Sequence, residues 1–166
     1  MIKIIFSFII LVMLCGCYGE SSNELYVFTY FVNEKDGMHL AVSKDGLNWK
    51  PLNNNKPVLK SEVGDSLLRD PSVIQDANGV FHLVYTTSWT DLGFGYTQSI
   101  DLKNWKDQKF IPIDTGILSE GVRNAWAPEL FYDFKNKEYY IIWASAKRYI
   151  PTLQTGFKGD QKQYFI

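Results

Sequence analysis

The sequence has little cysteine, little histidine and no long apolar run past its first fourteen residues. Cys15 and Cys17 are the only cysteines and lie together near the N-terminus, so no disulfide can staple the rest of the chain. His39 and His82 are the only histidines, and no His/Cys/Asp spacing suggests a transition-metal site. The formal net charge is −1 and Lys and Arg are scattered, which argues against nucleic acid as a partner. A Gly-rich phosphate loop, a serine-nucleophile motif and useful helical periodicity are also missing. What the chain does have is aromatic side chains, 16% of its residues, which suits a β-rich fold or a carbohydrate-binding surface.

The N-terminus reads as a targeting segment. Lys3 supplies a small positive region, and Ile4 to Leu14 form an apolar run of eleven residues, too short to span a bilayer as a mature helix. Leu14-Cys15-Gly16-Cys17 resembles a bacterial lipobox, with an aliphatic residue at −3 and Gly at −1 of Cys17; Leu14 is too bulky for the residue before a lipidated Cys15. The expectation is a lipoprotein signal peptide over residues 1–16, a tether anchored at Cys17 over 17–24, and a folded domain over 25–166, exported and held at a membrane in the periplasm or at the cell surface. The plainer alternative is an ordinary signal peptide with two incidental cysteines.

An internal repeat organises the remainder. Arg69-Asp70-Pro71 opens a strand, Asp76-Ala77-Asn78-Gly79 turns it, and Phe81 to Ser88 returns. Pro71 has no N–H for a sheet ladder, which places Asp70 at a strand's mouth. Pro71, Asp76 and Ser88 match Pro128, Asp133 and Ser145, each 57 positions on, and Leu83-Val84-Tyr85 falls over Tyr140-Ile141-Ile142. Ser43, Asp45, Asn48 and Trp49 match Ser99, Asp101, Asn104 and Trp105 at 56. Asp45-Gly46 and Asp101 are turn residues, and each Trp is expected to pack its indole between adjacent sheets.

Strands are expected over Leu25–Val32, Met38–Ser43, the Leu68–Ser88 hairpin, Phe94–Ser99, Phe110–Ile113 and a second copy opened by Trp126-Ala127-Pro128-Glu129 and turned at Lys135-Asn136-Lys137. Four short strands per 56–57 residues favour propeller blades over solenoid coils or a sandwich. The fold class is therefore all-β, a β-propeller.

Arg69-Asp70-Pro71-Ser72-Val73, the Asn78-Gly79 turn, Asp45-Gly46-x-x-Trp49 and Trp126-Ala127-Pro128-Glu129 with Tyr139-Tyr140 together resemble glycoside hydrolase family 43, nearest its arabinofuranosidase-like members, over about Leu25 to Tyr149. The resemblance implies a five-bladed propeller and an inverting mechanism, in which a carboxylate base activates water and a carboxylic acid about 6.5–9.5 Å away protonates the leaving oxygen. It carries the base onto Asp70, with Arg69 beside it favouring the charged carboxylate, and makes Trp126 an aromatic wall of the sugar pocket. No cofactor is required; some members hold an ion in the central channel.

Read from the residues alone, Asp70 could equally cap a strand entrance, and its repeat counterpart, Ala127, shows that the scaffold needs no acid there. Glu129 is either a pocket residue or a turn or salt-bridge residue, Trp89 and Asp91 lie in a loop that could touch substrate, and His39 and His82 read as packed. From Cys17 onward 150 residues remain, about 2.6 repeats where the family has five, and the family's pKa-tuning Asp and general-acid Glu come from later blades. The sequence therefore reads as the N-terminal part of an exported glycosidase acting on arabinose- or xylose-containing oligosaccharides or polysaccharides, with a non-catalytic surface glycan-binding protein or a degenerate remnant as alternatives.

Overall fold

A computed structural model describes residues 25–32, 36–113 and 122–146, together with the backbone of 161–165. Among them, ten strands form three antiparallel sheets. The first is β1 (Tyr26–Tyr30), β2 (His39–Ser43) and β3 (Lys50–Pro51). The second is β4 (Arg69–Gln75), β5 (Phe81–Thr86), β6 (Gly93–Ser99) and β7 (Lys109–Pro112). The third is β8 (Trp126–Asp133), β9 (Glu138–Ala146) and β10 (Gln161–Phe165). Each sheet is a simple meander, as expected for blades. The expected signal peptide and tether, residues 1–24, lie outside the described residues.

Pairing registers fix how the sheets correspond. Ser43 pairs with Tyr26 as Ser99 pairs with Phe81, so β1 and β2 are the counterparts of β5 and β6, and the first sheet begins at the second strand of the pattern. In the third sheet Glu129 faces Ile142, as Ser72 faces Val84 in the second. Ile142, 58 positions on, therefore holds the place of Val84, which corrects the offset of 57 for this strand. The cause is the turn: Asp133 pairs with Glu138, leaving one residue more than lies between Asp76 and Val80. A slip of one residue moves every side chain to the opposite face, so Trp143, not Ile142, is the counterpart of Tyr85.

The sheets stack face to face. Leu83 and Tyr85 of the second sheet pack on Met38 and Leu40 of the first. Phe94, on the other side of the second sheet, packs on Trp143 and Ala125. Burial pushes the Tyr85 hydroxyl up to about 12; it donates to Gln108 Oε1, and Gln108 Nε2 in turn donates to the Lys60 carbonyl at 2.8 Å. The Tyr85 ring lies flat over Gly95, where an added Cβ would sit 2.0 Å from Cζ. Gly95→Ala should therefore cost roughly 1–3 kcal/mol or more by overpacking, read as a lowered denaturant midpoint with the slope unchanged.

The Asp turns are alike in detail. Asp45 accepts from the backbone of Asn48 and Leu47 and from the Asn48 amide, and Asp101 repeats this with Asn104 and Lys103. These bonds, the backbone N–H of Asn48 or Asn104 first, hold both carboxyls well below the ordinary range. A depressed folded pKa stabilises above the unfolded value, about 4, and that stability is lost as pH falls below it. Replacing both by Asn should lower Tm at neutral pH and flatten its fall below about pH 4. The Trp residues that close these turns differ. Trp105 packs into the core beside Leu83 and Tyr85, as expected, whereas Trp49 is 40% exposed and, among the described residues, rests against Phe28 of its own sheet.

Candidate functional site

Asp70 sits in a β-bulge. The ladder between β4 and β5 jumps from Arg69–Thr86 to Ser72–Val84, and the jump lets Pro71 lie inside the strand without owing it a donor. Asp70 has φ of 49°, in the left-handed region that non-glycine residues seldom enter. The third sheet repeats the device: its register jumps between Trp126 and Glu129, and Ala127 has φ of 46°. The bulge is thus part of the blade architecture, and only the second sheet uses it to present a carboxylate.

Thr86 aims that carboxylate. Its hydroxyl, nearly fully buried, donates to Asp70 Oδ2 at 2.9 Å and accepts the N–H of Ala127 at 2.9 Å. A hydroxyl has one proton; because a lone pair takes the Ala127 N–H, that proton is free for Asp70. One side chain thereby fixes the acid and ties the second sheet to the third. Further seams run from Thr29 Oγ1 to the Pro71 carbonyl at 2.8 Å and from the Leu130 N–H to Ser72 Oγ at 3.1 Å.

Aromatic rings gather beside Asp70. The Arg69 guanidinium lies over Phe31 and over Trp89, 4.8 Å from each ring centroid. Trp126 meets Trp89 edge to face at 5.7 Å and donates its indole N–H to the Trp89 carbonyl at 3.1 Å. The loop carrying Trp89 is pinned by Ser88, which donates to Asp65 at 2.6 Å, and by Thr87, which donates to Asp91 at 2.8 Å. Asp91 also accepts the Ala125 N–H on its carbonyl, so it serves as a brace between sheets. Trp89 stays half exposed.

The structure thus brings Arg69, Asp70, Trp89 and Trp126 together. Glu129 is not joined to them by any contact among the described residues; it is exposed and shares a face with Ile142, away from the Trp143 side. His39 is buried against Tyr30 and bonded to Asp36 at 2.7 Å. His82 lies between Tyr96 and Tyr139, so both histidines are packed. Sequence reasoning missed Thr86 and Phe31. The run Thr86-Thr87-Ser88 at a strand end was the available signal, hidden because Thr is an ordinary strand former. No group of three or more His, Cys, Asp or Glu among the described residues could hold a metal ion.

Comparison with known proteins adds the family. A model described as a probable glycosyl hydrolase domain, related to family 43, matches residues 22–156. A β-1,2-mannobiose phosphorylase of Thermoanaerobacter sp. (strain X514) is 28% identical over 123 residues, 66% of this chain and 40% of that protein. Among solved structures, a family 32 β-fructofuranosidase of Bombyx mori aligns at a TM-score of 0.57 and 21% identity, over 85% of this chain and 31% of its own. The native arabinanase of Bacillus subtilis aligns at 0.52 and 19%, over 81% and 50%. The two structures show the fold, and the chain spans half or less of each of these proteins.

Proposed function

As the chain belongs to the family 43-related glycosyl hydrolase domains, we propose that it carries the base side of an inverting glycoside hydrolase site for arabinose- or xylose-containing glycans. The observation that carries this reading is the Asp70 carboxylate, presented by a bulge and held by Thr86 beside the Trp89–Trp126 pair. The sugar's C–H face packs on an indole, Arg69 donates to its hydroxyls, and Asp70 takes a proton from water as the water attacks the anomeric carbon. The glycosidic oxygen leaves with a proton from an acid on the opposite face, supplied by later blades. Thr86 keeps Asp70 aimed through the step.

A second reading follows from the mannobiose phosphorylase relative: phosphate in place of water as nucleophile. Assaying aryl arabinofuranoside, aryl xyloside and β-1,2-mannobiose with and without phosphate, in a protein where this sequence is followed by acid-bearing blades, separates the two. Phosphate-independent release of sugar supports hydrolysis; strict dependence on phosphate supports phosphorolysis.

The protein is further proposed to be exported and lipid-anchored at Cys17, on the strength of the lipobox-like Leu14-Cys15-Gly16-Cys17. Cys17→Ala should release the protein from the membrane fraction or leave it unprocessed. Membrane retention equal to that of the unaltered chain would count against the anchor.

A further inference from the structure

The first sheet grips the chain on either side of Asp70. Thr29 Oγ1 donates to the Pro71 carbonyl at 2.8 Å, one residue past the carboxylate. Phe31 lies under the guanidinium of Arg69, one residue before it, with Cζ 4.8 Å from the ring centroid. Thr29 pairs with Leu40, which packs on Leu83 and Tyr85, so the grip runs along the same seam as the core between the two sheets. Thr29 and Phe31 are themselves half-buried.

The blade pattern shows what these contacts add. Tyr26 of β1 stands where Phe81 stands in β5, so Thr29 holds the place of Val84 and Phe31 that of Thr86. Phe31 and Thr86 do the same thing in successive sheets. Each reaches the strand entrance of the next sheet, Phe31 at Arg69 and Thr86 at the Ala127 N–H. Thr29 and Val84 differ. Val84 has no side-chain donor to offer the Pro128 carbonyl, yet Ala127 enters the left-handed region all the same, with φ of 46° beside 49° at Asp70. The bulge therefore forms without a hydroxyl from the preceding sheet at its proline carbonyl. Of the two bulges, the one given that bond is the one that carries a carboxylate.

We propose that Thr29 and Phe31 are positioning residues, which fix the aim of Asp70 and Arg69 from the neighbouring sheet. The inference rests on the reading of Asp70 as the base. A non-glycine residue at positive φ persists where its surroundings over-determine it. Asp70 is held at its carboxylate by Thr86, at the next carbonyl by Thr29 and at the preceding side chain by Phe31. Removing the Thr29 bond frees the peptide after Asp70 to rotate, and the carboxylate swings off the line of the attacking water. Thr29 thus acts on the chemical step, whereas Phe31, through Arg69, acts on the hold on sugar hydroxyls.

The experiment uses aryl arabinofuranoside and aryl xyloside, in a protein where acid-bearing blades follow this sequence. Thr29→Val keeps the shape and removes the hydroxyl, leaving in the first sheet what the second already has at that place. It should lower kcat about ten- to a hundredfold and change KM by less than about twofold. Thr29→Ser keeps the hydroxyl and should stay within about twofold of the unaltered kcat. A packing role predicts the reverse order, since Val fills the site better than Ser. Phe31→Leu should raise KM about three- to tenfold, and Phe31→Tyr should restore it. In an Asp70→Asn background, Thr29→Val should change the residual rate by less than about twofold, because the group it aims is gone. Should Thr29→Val fail to fold, Phe31→Leu against Phe31→Tyr carries the test. An unchanged kcat in Thr29→Val, a Ser variant as slow as the Val one, or a loss that persists in full without Asp70 overturns the inference and leaves the base reading standing. A near-normal kcat in Asp70→Asn alone removes both.

Discussion

Asp70→Asn should remove most turnover while leaving the fold and sugar binding in place. The amide has nearly the shape of the carboxylate, and its oxygen can still accept from Thr86 as Asp70 Oδ2 does at 2.9 Å. What it loses is basicity, so water is no longer activated as it attacks. The expected loss in kcat is about 10²–10⁴-fold with KM little changed, measured where acid-bearing blades complete the site. The left-handed backbone at this position accepts Asn at least as readily as Asp, so a collapse of stability is not expected. A near-normal kcat in this variant would make Asp70 a strand-entrance residue and nothing more.

The second large effect concerns the 166-residue chain as it stands, which should not hydrolyse glycosides alone. Inversion needs an acid facing the base across the scissile bond. Among the described residues no carboxylate is joined to the Asp70 cluster in that role: Asp91 and Asp65 are taken up by Thr87 and Ser88, and Glu129 lies exposed on the face shared with Ile142. Without a positioned acid the rate falls by about 10²–10⁴-fold. Aryl arabinofuranoside and aryl xyloside are the substrates to try, with the Asp70→Asn chain as control. Clear turnover by the isolated chain, lost on that substitution, would mean that a carboxylate of this chain serves as acid, with Glu129 the first to replace.

Much of this arrangement is legible in the sequence because its local signals are strong. The β-branched and aromatic runs become strands within two or three residues of their expected bounds. The Asp-x-x-Asn spacing at Asp45, Asp101 and Asp133 becomes the same side-chain-capped turn each time. Pro71 and Pro128 mark the two bulges, since a residue without an N–H fits a strand where the ladder is interrupted. Other features depend on distances the sequence does not show. The turn at Phe134–Lys137 is one residue longer than its counterpart, and nothing in its composition says on which side of the sheet Ile142 then falls. Trp49 and Trp105 share a motif, yet among the described residues Trp49 is exposed and Trp105 packed, a difference the motif itself does not carry. Thr86 is invisible as a positioning residue until the Ala127 N–H is seen to arrive from another sheet.

The most direct test of Asp70 as the base is the stereochemistry of the sugar first released, followed by proton NMR in a protein where acid-bearing blades follow this sequence. With Asp70 in place, the product should appear with its anomeric configuration inverted before mutarotation, and the Asp70→Asn protein should form almost no product. A product that retains its configuration, or an inverted product formed at an undiminished rate by the Asp70→Asn protein, would contradict a water-activating role for Asp70.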